Sequence, residues 1–442
     1  MKLRLSHYGW MVARQQALQG SLRVGNSPEG DLLIELFTGS HVPASEFPFH
    51  PELVAKGIVT LIPENTPEEE TRLRYKRNPF EHITKVIFEF TTYCNFNCEH
   101  CYNGYVPRHT EIHLDLLKNA AGTLLAMGVD RFDFIGGEVS KYGDGWLELA
   151  RHIHSLDQKA QISLYTNGWW LDQQDFLAAG KTYPDLWAYL ADLKAHGVTH
   201  ITFSLDGPGD LHDQSRHQPG LYQRILKGLA QVKEAGLAPR VSLLVRKEWD
   251  NDLFENFLAE PATIIYDLDP ASPARKRALK LSLDPFNAIS NFIDIGNGAS
   301  DDQVQFPLLD VPNHSLYCRG FYRLSPSLTI KANGELASCR LATAGEGYGN
   351  LHEKSMIEIV NTFDEAFISH LHIERRLEEY LPLVDRDVFG DQFTHLCSLR
   401  AVITILARKM DEQSVGMDDT AAIHRINREV ALETGHLPKG RN

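Results

Sequence analysis

From residue 84 onward the chain alternates short runs rich in β-branched and aromatic residues with longer amphipathic stretches. The runs "KVIFEFTT", "RFDFIGG", "QISLYTNG", "HITFSLDG", "RVSLLVR" and "TIIYDLD" read as six strands. Their near-continuous apolar character suits a sheet covered by helices rather than one half open to water. Between them, "LDLLKNAAGTLLAMG" has the period of a helix, with Asp115 expected to cap its start and Gly128 to supply a left-handed stop. "LYQRILKGLAQVKEAG" repeats that punctuation with Gly236. Strand and helix in strict succession predict an α/β fold with a parallel sheet, as an open doubly wound sheet or a partial barrel. In either architecture chemistry belongs at the carboxyl ends of the strands.

The flanks have a different texture. Residues 1 to about 80 read as strands and turns in "LRLSHYGWMVARQQ" and "GSLRVGNSPEGDLLIELF", then as a helix leading into a strand in "FHPELVAKGIVTLI". They end in the polar linker "PENTPEEETRLRYKRNP". Past residue 310 a compact hairpin is expected around "LTIKANGELASC", followed by a charged helical tail. The expected division is therefore 1–80, 81–310 and 311–442.

Composition narrows the function. With 442 residues and ordinary apolar content the chain can bury a large core, and no run of eighteen apolar residues suggests a membrane span. The opening lacks the pattern of a signal peptide, so a cytoplasmic location and no membrane partner are expected. A formal charge of -14 disfavours a surface that tracks nucleic-acid phosphates. Six cysteines, in a reducing compartment, point to metal or redox chemistry rather than to structural disulfides.

Three of those cysteines, Cys94, Cys98 and Cys101, stand in "CNFNCEHCYNG" directly after the first core strand. Three thiolates at that spacing can hold one face of a cubane iron–sulfur cluster and leave its fourth iron open. Zinc is the alternative, although it would need a fourth ligand and His100 lies awkwardly between thiols. "FIGGE", "YTNG" and "SLDG" close the next three strands. Each string alone is an ordinary turn, and their weight comes from falling at successive strand ends.

The C-x3-C-x2-C spacing in this company resembles the radical S-adenosylmethionine (SAM) superfamily over roughly residues 84 to 270. The resemblance implies a partial (β/α)6 TIM-like barrel, a 4Fe-4S cluster on Cys94, Cys98 and Cys101, and SAM bound at its open iron. It implies that Gly136, Gly137 and Glu138 receive the methionyl ammonium, that His100 packs near adenine, and that Asn167, Ser204 and Asp206 face the cofactor. Val139 follows Glu138 where the family often has proline. Reduction of the cluster, by a donor such as flavodoxin or ferredoxin, would cleave SAM to a 5'-deoxyadenosyl radical that takes a hydrogen atom from substrate.

Cys318, Cys339 and Cys397 remain. "CRGFYRLSPSLTIKANGELASC" resembles the opening of the SPASM or twitch extension, which implies a second, auxiliary 4Fe-4S cluster. Its usual C-x2-C pair is reduced to one thiol, since Ser398, Leu399 and Arg400 follow Cys397. The fourth iron would then take His395, Asp391, water or substrate. Alternatively Cys397 is a small apolar residue of the helix "HLCSLRAVITIL".

"SLDGPGDLHDQSR" resembles the loop of peptide- and protein-modifying members. A peptide substrate is therefore expected, to be crosslinked or oxidised, and the amino-terminal segment could be a winged-helix domain that binds a leader peptide. A small-molecule dehydrogenase, epimerase or rearrangement enzyme is the alternative. A noncatalytic iron–sulfur or zinc scaffold is a third reading, which the strand-end loops argue against. Tyr102, Tyr165, His212 and Arg216 lie near the expected mouth, with no catalytic role assigned.

Overall fold

The structure is a computed structural model. It describes residues 1–19, 21, 27–38, 41–66, 80, 83–98, 101, 110–243, 257, 260–261, 264–265, 306–307, 327–337, 347–367, 369, 371, 376–389, 392–393 and 396–433.

The amino-terminal unit corrects the expectation of strands and turns. Only β1 (Lys2–Leu5) is extended at the start. Helix α1 (His7–Leu18) follows at once, because the Ser6 hydroxyl accepts the Gly9 N–H at 2.9 Å and so caps it. Helix α2 (Pro28–Thr38) begins with proline and places Glu29 and Asp31 in its first turn, where the helix dipole favours acids. Its apolar residues Leu32, Leu33 and Leu36 point inward at helical spacing. That run was too short for periodicity to separate helix from strand. A two-residue strand β2 (Val42–Pro43), helix α3 (His50–Ala55) and strand β3 (Val59–Ile62) complete the unit. Its sheet is antiparallel, in the order β2-β1-β3.

The core begins at β4 (Lys85–Glu89) and continues through α4 (Leu114–Ala126), β5 (Arg131–Ile135), α5 (Gly145–Leu156) and β6 (Gln161–Thr166). A small antiparallel hairpin, β7 (Phe176–Ala178) and β8 (Lys181–Tyr183), interrupts the rhythm. Then come α6 (Leu186–Ala195), β9 (His200–Leu205), α7 (Asp210–Arg216), α8 (Leu221–Glu234) and β10 (Ala238–Leu243). Gly128 and Gly236, at φ +96° and +76°, end α4 and α8 as expected. Asp115 does not cap α4: the cap position is His113, and Asp115 sits in the first turn without capping it.

β10, β9, β6, β5 and β4 lie side by side, all parallel. The expected sixth strand, "TIIYDLD", is corrected where it is described, since Ile264 and Ile265 are helical; its other residues lie outside the described ones. The next parallel neighbour of β4 comes from the carboxyl-terminal third instead. β11 (Phe306–Pro307) is a two-residue strand elsewhere, and β12 (Ser327–Ile330) aligns with Lys85 to Phe88. The barrel is therefore partial and open.

One face of this sheet presents Val86, Phe88, Phe132, Phe134, Ile162, Leu164, Ile201 and Phe203, all with no exposed area, within the core that also takes in the helices. Each such side chain contributes about 1.5–3 kcal/mol through burial. The alternate positions include the polar Asp133, Ser163 and Thr202, with Lys85 and Asp133 paired at 3.1 Å. Strong alternation, not continuous apolarity, is the pattern in "RFDFI".

β12 turns through Gly334 into β13 (Glu335–Ala337), the hairpin expected from the sequence. β14 (Gly349–Asn350) and α9 (Met356–Asn361) follow. Because β12 runs parallel to β4, the hairpin turn stands at the carboxyl end of the sheet, where the Ala332 N–H donates to Glu89 at 3.1 Å. The remaining elements are α10 (Leu377–Tyr380), α11 (Arg386–Phe389), β15 (Gln392–Phe393, paired with β11), α12 (Leu396–Glu412) and α13 (Thr420–Glu433). Leu399, Val402, Ile403, Leu406, Ile426 and Val430 form a separate core there.

Among the contacts that fasten the amino-terminal unit to the rest is one side chain of α9. Asn361 accepts the Tyr8 N–H at 2.9 Å and donates to the Gly57 carbonyl at 3.0 Å. Phe80 packs nearby between Tyr348 and Phe363, with ring centroids 5.5 and 5.7 Å away.

Candidate functional site

Cys94, Cys98 and Cys101 lie on the loop after β4, half-buried and free of disulfides. The loop is pressed against the end of β5. Gly137 N–H donates to the Thr91 carbonyl at 2.7 Å and Glu138 N–H to the Tyr93 carbonyl at 2.8 Å. This approach demands glycine: a Cβ on Gly137 would stand 1.9 Å from the Tyr93 oxygen, and one on Gly136 2.7 Å from the Thr91 oxygen. Backbone contact of this closeness is the physical content of the Gly-Gly pair.

Glu138 has no exposed surface. One of its oxygens accepts the Ser140 hydroxyl at 2.7 Å, the Thr166 hydroxyl at 2.9 Å and the Ser140 N–H at 3.4 Å. The other accepts the Asn167 N–H at 2.8 Å. Burial raises its pKa, and these donors oppose the rise. The carboxylate thus joins the ends of β5 and β6.

Asn167 extends the same connection to the thiols. Its side-chain amide donates to Cys94 Sγ at 3.6 Å and to Asn95 Oδ1 at 3.0 Å, while its own oxygen accepts the Trp169 N–H at 2.9 Å. Phe96 N–H also points at Cys94 Sγ, at 3.4 Å. Burial pushes the Cys94 thiol up to about 11, with the Glu138 charge adding to it. Cys98 is pushed up to about 12, mainly by burial, against the opposing influence of Arg216.

At the end of β9 the Asp206 carboxylate is buried and bound by Arg216, Nε at 2.5 Å and Nη2 at 3.0 Å, with the Ser215 hydroxyl at 3.3 Å. The Asp206 N–H donates to His212 Nδ1 at 3.0 Å, and His212 is fully buried. Ser204 is half-buried on β9, opposite Ser242 of β10. His100, Cys318, Cys339 and Tyr102 lie outside the described residues, and Cys397 is described only as part of the backbone of α12.

Cys94, Cys98, Gly136, Gly137, Glu138, Asn167 and Asp206 are therefore brought together by the carboxyl ends of four adjacent parallel strands. The partners of Glu138 and Asp206 were not found from the sequence. For Arg216 the sequence signal is its spacing of ten residues from Asp206, across one short helix. Lys141 was missed altogether; its ammonium sits 3.3 Å from the centroid of the Trp169 ring, whose N–H donates to Ser140.

The donor set fits an iron–sulfur cluster. Three thiols share a loop, two N–H groups face the sulfur of Cys94, and a buried guanidinium favours thiolate at Cys98. Among the described residues no three His, Cys, Asp or Glu side chains gather as ligands of a single ion. Thiolates on separate corners of a cubane need no such convergence.

A family model of the radical SAM superfamily matches residues 88–253. The chain is 26% identical over 184 residues to GTP 3',8-cyclase of Peptoclostridium acidaminophilum, covering 40% of this chain and 51% of that protein. It is 27% identical over 176 residues to AdoMet-dependent heme synthase of Methanosarcina barkeri, covering 39% and 45%. The chain thus spans about half the length of the curated relatives it matches. Among solved structures, Streptococcus suis SuiB bound to precursor peptide SuiA is similar with TM-score 0.43 and 13% identity, over 79% of this chain and 88% of that one. BtrN in complex with AdoMet and 2-DOIA is similar with TM-score 0.37 and 13% identity, over 68% and 90%. The matched stretch, residues 88–253, takes in the cysteine loop, the Gly-Gly-Glu turn and the strands through β10, so it is over this part of the chain that the similarity to the radical SAM superfamily lies.

Proposed function

We propose that the protein is a radical SAM enzyme whose cluster is held by Cys94, Cys98 and Cys101 and whose substrate is a ribosomally made peptide, crosslinked or oxidised at carbon. The single observation that carries the cofactor reading is the contact network from Glu138 through Asn167 to Cys94. It ties the loops after β5 and β6 to the cysteine loop.

When bound, the cluster and SAM supply a 5'-deoxyadenosyl radical upon one-electron reduction. The chain's own residues then have separable tasks. Cys94, Cys98 and Cys101 would hold three of the cluster's irons. Gly136 and Gly137 bring backbone against the loop, and the buried Glu138 carboxylate holds the Asn167 N–H and so fixes the edge at which the methionyl ammonium would sit. Asn167 and Phe96 orient the Cys94 sulfur. Ser204 lies on the same edge of the sheet and would line the cofactor's far side, with His100 beside adenine. Cys318, Cys339 and Cys397 would hold an auxiliary cluster, and a low-potential protein such as flavodoxin or ferredoxin would deliver the electron.

Support for a peptide comes from the "SLDGPGDLHDQSR" loop and from the amino-terminal unit, whose short three-stranded sheet gives an extended chain an edge to pair with. A second reading, a small-molecule substrate, is favoured by the activities for which the sequence relatives are named, a GTP cyclase and a heme synthase. Uniformly deuterated candidate peptide, incubated with reconstituted enzyme, SAM and a strong reductant, separates the two. Deuterium appearing in 5'-deoxyadenosine supports the peptide reading. Cleavage of SAM with no deuterium transfer from any candidate, but with transfer from a small molecule, refutes it.

A further inference from the structure

The parallel strands β4, β5, β6, β9 and β10 stand in the sheet in the order in which the chain makes them. Right-handed crossovers in an unreversed order put every connecting helix on one face. That face is the apolar one, and the alternate residues point the other way. In register across the sheet, this second face carries Ile87, Asp133, Ser163 and His200 in one row. Tyr165, Thr202 and Arg240 form the next row toward the carboxyl ends.

The charges of this face are unequally matched. Asp133 is paired with Lys85 at 3.1 Å, Asp206 is held by Arg216, and Glu89 accepts the Ala332 N–H. Arg240 is exposed, and among the described residues no carboxylate pairs with it. Its Nη1 reaches back across β9 to the Ser163 hydroxyl on β6, at a long 3.5 Å. Burial first, and the Arg240 charge next, lower the pKa of His200 to about 4, so that ring adds no charge of its own at neutral pH.

Thr202, the register partner of Arg240, is 2% exposed, and among the described residues its hydroxyl has no hydrogen-bond partner. A buried hydroxyl without a partner is destabilising, and valine, of nearly the same shape, would serve the sheet better. The cation and the hydroxyl therefore stand side by side, one without an anion and the other without an acceptor. An oxyanion supplies both.

We infer that Arg240 and Thr202 form a binding point for an oxyanion of the substrate, a carboxylate or a phosphate, on the helix-free face of the sheet. The guanidinium fork takes two oxygens in plane, and the hydroxyl donates to one of them. Ser204 lies on the same face two residues farther along β9, about 7 Å toward the carboxyl ends. A substrate anchored here extends toward the proposed cofactor edge. That the bound group belongs to the substrate rests on the radical SAM reading above; the binding itself does not.

The test is labelling of the full-length chain with phenylglyoxal, which modifies arginine, with the rate at each arginine read by peptide mass spectrometry. Arg425 of α13, also exposed and donating to a side-chain oxygen at 3.5 Å, is the internal control. The probes are N-acetylglutamate amide, N-acetylglutamine amide and inorganic phosphate at constant ionic strength, each at about 20 mM, ample for a Kd of millimolar order. An anionic probe is expected to slow labelling of Arg240 about fivefold and to leave Arg425 unchanged. Slowing by the glutamate amide marks an acidic side chain of a peptide as the source of the oxyanion. Slowing by phosphate alone marks a phosphorylated molecule, and the site stands in both cases. In Thr202→Val the protection is expected to fall below about twofold, while stability to urea stays at or above the parent's. A hydroxyl that served only the fold would give the reverse.

Equal rates at Arg240 with and without both anions overturn the inference. So do equal protection by the glutamine amide and full protection in Thr202→Val. An Arg240 that resists phenylglyoxal without any probe is already paired, and overturns it equally. Labelling needs neither SAM nor a cluster. Protection in a chain that cleaves no SAM leaves this site standing and removes the radical SAM reading; SAM cleavage without protection does the opposite.

Discussion

The Asn167 N–H donates to the Glu138 carboxylate at 2.8 Å, and the Asn167 side chain reaches the Cys94 sulfur at 3.6 Å. Through these two residues the loops after β4, β5 and β6 become a single mechanical unit. A perturbation at any one of them should be felt at the thiols.

Glu138→Ala removes the acceptor of the Ser140 and Thr166 hydroxyls and of the Asn167 N–H in a site with no exposed surface. Each buried donor left unpaired costs about 1–3 kcal/mol, and the hydroxyls can rotate to partial substitutes. A loss of about 3 kcal/mol in urea unfolding is expected. Glu138→Gln keeps the shape and should lose about half as much. Equal stability of Glu138→Ala and the parent would show that the network carries no load.

Gly137→Ala places a methyl group 1.9 Å from the Tyr93 carbonyl oxygen, which is backbone and cannot step aside alone. The cysteine loop must move. Iron bound per chain after reconstitution should fall severalfold, while far-UV circular dichroism stays near that of the parent because the displacement is local. Full iron loading in this variant would mean that the loop tolerates the shift.

Much of this site was legible in the sequence, because ligand spacing and glycine pairs are local signals. Cys94 to Cys101, Gly136 to Glu138 and Asn167 are each read within a few residues, and strand ends are where the alternating pattern stops. What was not legible is long-range. The Asp206–Arg216 pairing depends on how α7 folds back, and the parallel placing of β12 beside β4 joins residues more than two hundred positions apart. The amino-terminal helices escape the sequence pattern because Ser6 as a cap decides α1, and a cap shows only once the turn behind it is known to form.

Asn361→Ala withdraws both a donor and an acceptor from the seam between the amino-terminal unit and α9. The Tyr8 N–H and the Gly57 carbonyl then lose their partner, at about 1–3 kcal/mol in total, since the seam is only partly buried. Limited proteolysis should cut near residues 63 to 80 faster than in the parent, releasing the amino-terminal unit. An unchanged cleavage rate would place the strength of the seam in the Phe80, Tyr348 and Phe363 rings instead.

His200 gives a pH dependence with a definite sign. Burial first, then the nearby Arg240 charge, lowers its pKa to about 4, while Asp133 opposes. Between about 4 and the ordinary histidine value the unfolded chain binds a proton that the folded chain refuses. The associated stability is present above pH 6.5 and is lost as pH falls toward 4, by about 1 kcal/mol once partial solvent screening is allowed for. His200→Gln should flatten this slope in unfolding measured from pH 7 to pH 4.5. A parallel slope in the variant would assign the effect to another group.

Cleavage of SAM is proposed to occur at a cluster held by Cys94, Cys98 and Cys101. It is tested most directly by comparing the parent with the Cys94→Ala/Cys98→Ala/Cys101→Ala variant after anaerobic reconstitution, with 5'-deoxyadenosine measured under strong reductant. Steady formation is expected from the parent and none from the variant, with roughly half the iron retained where the remaining cysteines carry a second cluster. Undiminished 5'-deoxyadenosine from the triple variant would contradict it.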